Sequence, residues 1–221
     1  GFGDLCLMSH AISHHGERWK TLLVGPRVDR TFFFMLVGLF AFYLVTRLPA
    51  LGAKPFHHDE SLFATYAYQQ LALGNYYHHP LLHGPLQIQL LSGLFWVADR
   101  VGLLVSHGNT IARLLSAGAG FLLLIVLICG FRKKLGREGV LVAAAIVCAS
   151  PGFWYYQRFV RNESLFLLTT LALVWMVAKA WRSQHPAGWI VGGFLAASML
   201  LAEKENSLFI FFNGVFFVGM Q

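Results

Sequence analysis

The sequence predicts an all-α, polytopic membrane protein, and three observations predict it. First, 57% of its 221 residues are hydrophobic and only 12% are charged, where a soluble domain carries about 25% charged residues. Second, several apolar runs approach the roughly 20 residues that a bilayer-crossing helix needs. Third, basic residues flank those runs, the pattern of cytoplasmic membrane loops. The net charge of +7 therefore does not indicate nucleic acid, since no soluble basic face forms. Cys6, Cys129 and Cys148 are far apart, and they form neither a disulfide framework nor a metal motif.

Residues 1–30 read as a cytoplasmic tail, with four basic residues and no cleavage site before the first apolar run. Spans are expected at Phe32–Leu48, Ile111–Phe131, Val140–Tyr156, Leu165–Trp181 and Trp189–Ala202, with a sixth beginning at Leu208. Residue 1 is Gly and the chain stops within Phe216-Phe217-Val218-Gly219-Met220-Gln221. Residues 31–221 are therefore expected to be the N-terminal portion of a longer, truncated membrane domain. Arg47, near the end of span one, is expected to snorkel to the interface.

Leu86–Val105 is apolar but ends in Asp99-Arg100. If it does not span, Arg18, Lys20, Arg27, Arg30, the Arg132–Arg137 cluster and Lys179/Arg182 share one side, which places ten of the seventeen basic residues there. It is thus expected to lie at, or dip into, the outer interface. The outer loop is then about residues 49–110, and Arg158–Glu163 and Glu203–Glu205 face the same side.

That loop holds Phe56-His57-His58-Asp59-Glu60-Ser61 and, later, His78-His79-Pro80 and His83-Gly84-Pro85. Residues 60–73 read as a short helix with Asp59 as N-cap and Gly74-Asn75 as its stop. Asp59 and Glu60 either start that helix or form a carboxylate pair that includes a general base. The five His between 57 and 83 either bond at the interface, hold a metal with Asp59 or Glu60, or donate to a phosphate. Arg158, Arg161 and Glu163 lie in the next outer turn, where arginines run against the positive-inside bias. Glu203-Lys204-Glu205 breaks an apolar run. Arg113, at the start of span two, reads as an interface anchor or a site residue.

The ordered set His58-Asp59-Glu60, His83-Gly84-Pro85-Leu86, Ala112-Arg113-Leu114, Ala149-Ser150-Pro151 and a Lys after span five resembles the membrane glycosyltransferases of the GT-C fold, over about residues 30–212. These include the protein O-mannosyltransferases and aminoarabinose transferases. His-His-Asp-Glu-Ser and Arg-Phe-x-Arg-Asn-Glu look most similar to the flippase-activity-associated family of archaeal-type N-glycosylation. The chain departs from many relatives in having His83-Gly84-Pro85 for Lys-Pro-Pro and Glu163 for Asp.

The resemblance implies a GT-C-like helical bundle with short interfacial helices in its outer loop. It also implies transfer of a sugar from a polyprenyl-phosphate donor, at the outer face of the cell membrane, with inversion. Asp59 is then the base, with Glu60 beside it. Lys204, Arg158, Arg161, Arg113 and His83 are candidates for the phosphate, and Glu163 for the sugar. Glu60 and Glu163 either orient sugar hydroxyls or hold a divalent cation with His57 or His58, the only cofactor this reading allows. Its partners are the lipid-linked sugar, the bilayer and an unspecified acceptor. The competing readings are a transporter or flippase component, with Asp59 or Glu163 carrying protons, and a non-catalytic subunit.

Overall fold

The computed structural model describes residues 30–75, 84–204, 207 and 208. The basic tail, His78, His79, His83 and the sixth apolar run beyond residue 208 lie outside these. The chain divides into two units, Gly1–Val37 and Gly38–Gln221, and everything below concerns the second, apart from the first turns of helix α1.

The described residues are helical or in turns, and seven helices follow in order: α1 Arg30–Arg47, α2 His58–Leu73, α3 Leu86–Arg100, α4 Leu104–Ala149, α5 Pro151–Tyr156, α6 Glu163–Ala180 and α7 Ala187–Leu201. Three of them, α1, α4 and α6, are long and apolar enough to cross a membrane. α7 is apolar but shorter, at 15 residues. α3 also has 15 residues, about 22 Å at 1.5 Å per residue, less than the roughly 30 Å of a hydrocarbon core. Val142, Ile146 and Val174 on the long helices and Val191, Phe194 and Leu195 on α7 stand exposed, as side chains facing lipid do. The chain is a multi-pass membrane protein.

α4 is not one rod. Gly136 has φ +73°, a left-handed conformation that glycine adopts without strain. A straight helix would separate Ala117 from Cys148 by about 46 Å. Yet Tyr43 and Arg47, one turn apart in α1, bond both: Tyr43 Oη donates to the Ala117 carbonyl at 2.7 Å, and Arg47 Nη2 donates to the Cys148 carbonyl at 2.7 Å. The chain therefore reverses at Gly136. The expected Arg132–Arg137 loop is corrected to this single-residue break, because Arg132-Lys133-Lys134-Leu135 continue the helix. The expected third span also ends earlier, at Ala149, where Pro151 opens α5 as a residue whose missing N–H costs nothing at a helix start.

Arg47 does not snorkel. It is 1% exposed, and its guanidinium donates to Gln157 Oε1, Thr46 Oγ1 and the carbonyls of Val147 and Cys148. A buried guanidinium is retained when its donors are satisfied, and here the break at Ser150-Pro151 supplies free carbonyls.

A second core lies beside the long helices. Phe63, Ala67, Ile88, Leu91, Ala112 and Val160 bring α2, α3, the start of α4 and the α5–α6 turn together. Each large side chain buried there from water contributes about 1.5–3 kcal/mol. This core fixes the start of α2 against the α5–α6 turn.

Candidate functional site

The site is built from the start of α2 outward. α2 begins at His58, two residues before the expected start, and its N-cap is His57 instead of Asp59. The physical reason is a reciprocal cap: His57 Nδ1 accepts from the Asp59 N–H at 3.5 Å, and Glu60 Oε2 accepts from the His57 N–H at 3.0 Å. The helix stops as expected at Gly74, with φ +67°.

This cap gives the two carboxylates different environments. Glu60 is fully buried. Its Oε1 accepts from Arg113 Nε at 2.9 Å and from the Val160 N–H at 3.0 Å. Its Oε2 accepts from Arg113 Nη2 at 2.8 Å and from the His57 N–H. Burial acts to raise the Glu60 pKa, but the Arg113 hydrogen bonds, the two backbone N–H groups and the Arg113 charge together hold it below the ordinary value. Arg113 is equally occupied, donating to the carbonyls of Leu51, Lys54 and Pro55. The pair is an internal clamp. It ties the loop after α1, the start of α2 and the α5–α6 turn to α4.

Asp59, the next residue outward, keeps 41% of its side chain exposed. The clamp on Val160 brings the neighbouring Arg161 to it, and Arg161 Nη1 lies 3.1 Å from Asp59 Oδ2. Arg161 Nε stands 3.5 Å from Glu163 Oε2, and Lys204 Nζ 3.5 Å from Glu163 Oε1. Asp59, Arg161, Glu163 and Lys204 thus form a row of alternating charge. All four are partly open to solvent. Among the described residues, both cations keep donors unused in this arrangement.

Backbone contacts hold the far end of the row. Asn162 Nδ2 donates to the Glu203 carbonyl at 3.1 Å. The Gly84 and Leu86 N–H groups donate to the carbonyls of Glu203 and Ala202 at 3.2 and 3.1 Å. A Cβ on Gly84 would drive into the Ala202 carbonyl, so glycine in His83-Gly84-Pro85 permits this close approach.

The remaining expected site residues divide clearly. Arg158 does not join the row. Its guanidinium donates to the carbonyls of Thr46, Arg47 and Pro49, where a cation suits the end of α1. Arg158 also borders a cavity of about 610 Å³ with Lys54, His57, Trp154, Tyr155 and Phe159. His57 and His58 are exposed, and among the described residues no three His, Cys, Asp or Glu side chains converge as metal ligands. His83 lies outside the described residues.

Sequence reasoning placed Glu203 in a charged break of an apolar run but did not assign it to the site. It is fully buried, and its carboxyl oxygens have no hydrogen-bond partner among the described residues. Burial pushes its pKa up to about 8, opposed by the nearby Asn162 amide and by Lys204, with the Glu163 charge adding to the rise. A charged residue in a short turn reads as exposed, so the sequence carried no signal for this.

The comparisons with known proteins fit this geometry. The family model described as dolichyl-phosphate-mannose-protein mannosyltransferase matches residues 93–220. That match is more than half of the chain, and it includes Arg113, Arg161, Glu163 and Lys204 and begins after Asp59. No curated protein matches the chain by sequence. Among solved structures, the chain resembles the S. cerevisiae protein O-mannosyltransferase Pmt1–Pmt2 complex bound to the sugar donor, with TM-score 0.67 and 20% identity. That likeness covers 83% of this chain and 27% of the other, so this chain spans about a quarter of that protein's length. At this identity the likeness concerns the fold, a GT-C-type membrane bundle. With the family model matched across the α5–α6 turn and Lys204, the chain belongs to the dolichyl-phosphate-mannose-protein mannosyltransferase family.

Proposed function

We propose that this chain supplies the donor-binding part of a membrane glycosyltransferase that moves a sugar from a polyprenyl phosphate to an acceptor hydroxyl. The observation that carries the reading is the row Asp59–Arg161–Glu163–Lys204, which joins an open carboxylate to two cations with spare donors. In the reaction the acceptor oxygen attacks the anomeric carbon and the bond from that carbon to the phosphate oxygen breaks. Asp59 takes the acceptor proton. The polyprenyl phosphate departs with the electron pair, against Arg161 and Lys204. A single displacement inverts the anomeric centre.

In this account Asp59 and the phosphate share Arg161. An arriving phosphate competes for the guanidinium and frees the carboxylate to accept a proton. Glu163 spaces the two cations and faces the sugar hydroxyls. Glu60 and Arg113 act as positioning residues, because every hydrogen bond they make is internal. The outer face of the cell membrane suits this end of the bundle, since Lys133, Lys134, Lys179 and Arg182 lie at the other. We also place the chain nearest the flippase-activity-associated members of the superfamily, on His57-His58-Asp59-Glu60-Ser61 and Arg158-Phe159-Val160-Arg161-Asn162-Glu163. A transport reading is less well supported, because the charged residues of the row and of the basic cluster lie at the ends of the helices instead of lining a path between them.

The test is binding of a polyprenyl-phosphate analogue to the full chain, wild type against Lys204→Gln and Arg161→Gln, each with a thermal unfolding control. The reading expects affinity to fall by about 1.5–3 kcal/mol per variant, the scale of a hydrogen bond to a charged group. Equal affinity in both variants, with folding intact, would remove the row from the donor site.

A further inference from the structure

At the end of α6 far from Asp59, the structure holds a second cationic cavity. α6 has 18 residues, about 27 Å at 1.5 Å per residue, with Glu163 at one end and Lys179 at the other. The cavity encloses about 310 Å³, and Lys133, Lys134, Lys179 and Arg182 line it with Trp175 and Trp189. No Asp or Glu is among its lining residues.

The indoles are built into this wall. Their ring centroids are 5.9 Å apart, and Lys179 Nζ stands 5.4 Å from the Trp189 ring centre, a cation–π distance. A Cβ on Gly130 would come within 2.8 Å of the Trp175 ring, so glycine lets α4 close on the indole. The Trp175 indole N–H is enclosed and has no hydrogen-bond partner among the described residues.

Trp189 also lines a second recess, of about 490 Å³, between α6 and α7. Its wall is apolar, formed by residues such as Val177, Ile190, Gly193 and Phe194. Val177, Ile190 and Phe194 are 54%, 45% and 71% exposed. One aromatic ring thus joins a cluster of four cations to an apolar groove along two membrane helices. A free anion would use the first feature and leave the second unused. An amphiphile with a phosphate head and an acyl tail uses both.

We propose that this end of the bundle binds an anionic phospholipid, with its phosphate among Lys133, Lys134, Lys179 and Arg182 and an acyl chain in the α6–α7 groove. Basic pockets between membrane helices have the chemistry to hold such headgroups. Tryptophan suits the boundary, since its ring is apolar and its N–H is polar. The proposal stands apart from the transfer reaction, because none of its residues belongs to the Asp59 row.

The experiment uses the full chain in detergent, with lipid binding read by native mass spectrometry and thermal unfolding. The probes are dioleoyl phosphatidylglycerol, dioleoyl phosphatidylcholine and inorganic phosphate. The variant is Lys133→Gln/Lys134→Gln/Arg182→Gln, three exposed residues whose replacement leaves the packed Lys179 and both indoles in place. Phosphatidylglycerol should bind the wild type at least tenfold more tightly than phosphatidylcholine, and the triple variant should lose most of that preference at an unchanged lipid-free unfolding temperature. As a second arm, Phe194→Gln should weaken phosphatidylglycerol and leave inorganic phosphate unaffected. An unchanged preference in the triple variant would overturn the proposal. Equal binding of the two lipids would do so as well. Protection by inorganic phosphate equal to that by phosphatidylglycerol would mean a free-anion site and would also reject the lipid.

Discussion

Replacing Glu60 by Gln tests the clamp beneath the site. Gln keeps the shape of Glu but removes the charge, and its amide must turn one N–H₂ toward donors. Four donors converge on the carboxylate: Arg113 Nε and Nη2 and the N–H groups of His57 and Val160. The Arg113 charge would stay buried at 4% exposure, with the carbonyls of Leu51, Lys54 and Pro55 as its remaining partners. Breaking one side of a buried ion pair costs about 3–5 kcal/mol. For a chain of this size each kcal/mol shifts Tm by about 2–4 °C, so Glu60→Gln should melt roughly 10 °C lower. Arg113→Met should cost a similar amount. The double variant Glu60→Gln/Arg113→Met should cost less than the two single losses added together, because no charge is then left alone. Thermal unfolding of the four proteins in one detergent reads the cycle. A loss below about 1 kcal/mol in Glu60→Gln, the scale of an exposed pair, would refute the clamp.

Other expectations follow from the same geometry. Glu203 holds its proton up to about pH 8, where an ordinary Glu titrates near 4.5. Between those values the unfolded chain binds fewer protons than the fold, so stability falls as pH rises, by about 1.4 kcal/mol per pH unit, and levels off above the folded pKa. Glu203→Gln should remove that slope, and a parallel pH–Tm curve in wild type and variant would contradict it. Glu60 has the opposite sign: its lowered pKa gives stability that is present above about pH 4.5 and lost as pH falls, a loss that should be absent in Glu60→Gln. Arg158→Gln should lower stability by about 1–2 kcal/mol, since Arg158 caps the end of α1, and leave the affinity for a polyprenyl-phosphate analogue unchanged; a drop in that affinity would return Arg158 to the site. Gly136→Ala should cost about 1 kcal/mol or more, because Gly136 has φ +73°, and an unchanged Tm would argue against the reversal there.

What the sequence made legible was what depends on local composition. The apolar runs marked α6 and α7 to within two residues, and Gly74 marked the end of α2. The acidic pair at the start of α2 and the arginines of the α5–α6 turn stood out because charge near lipid is costly. What was not legible depended on long-range contacts. Glu60 and Arg113 are 53 positions apart, and nothing local distinguishes a buried Glu at the third position of a helix from the exposed Asp before it. His57 took the N-cap place through a ring nitrogen, an acceptor that a reading tuned to Asp and Ser misses. Arg47 was read as interfacial and Glu203 as part of an exposed turn because charges at span ends usually are, whereas carbonyls freed at Ser150-Pro151 satisfied the one and enclosure neutralised the other. The basic run 132–137 looked like a loop because membrane topology demands a reversal there, but Gly136 alone performs it.

The most direct test of the central claim is transfer itself. The full chain, wild type and Asp59→Asn, is given a polyprenyl-phosphate-linked mannose and a hydroxyl acceptor under single-turnover conditions, with donor binding and unfolding temperature measured on the same samples. Asparagine keeps the size of Asp59 and removes its ability to take a proton. The account predicts a transfer rate at least about 100-fold lower, with the donor still bound and the fold intact. Transfer by Asp59→Asn at a rate near that of the wild type would contradict it.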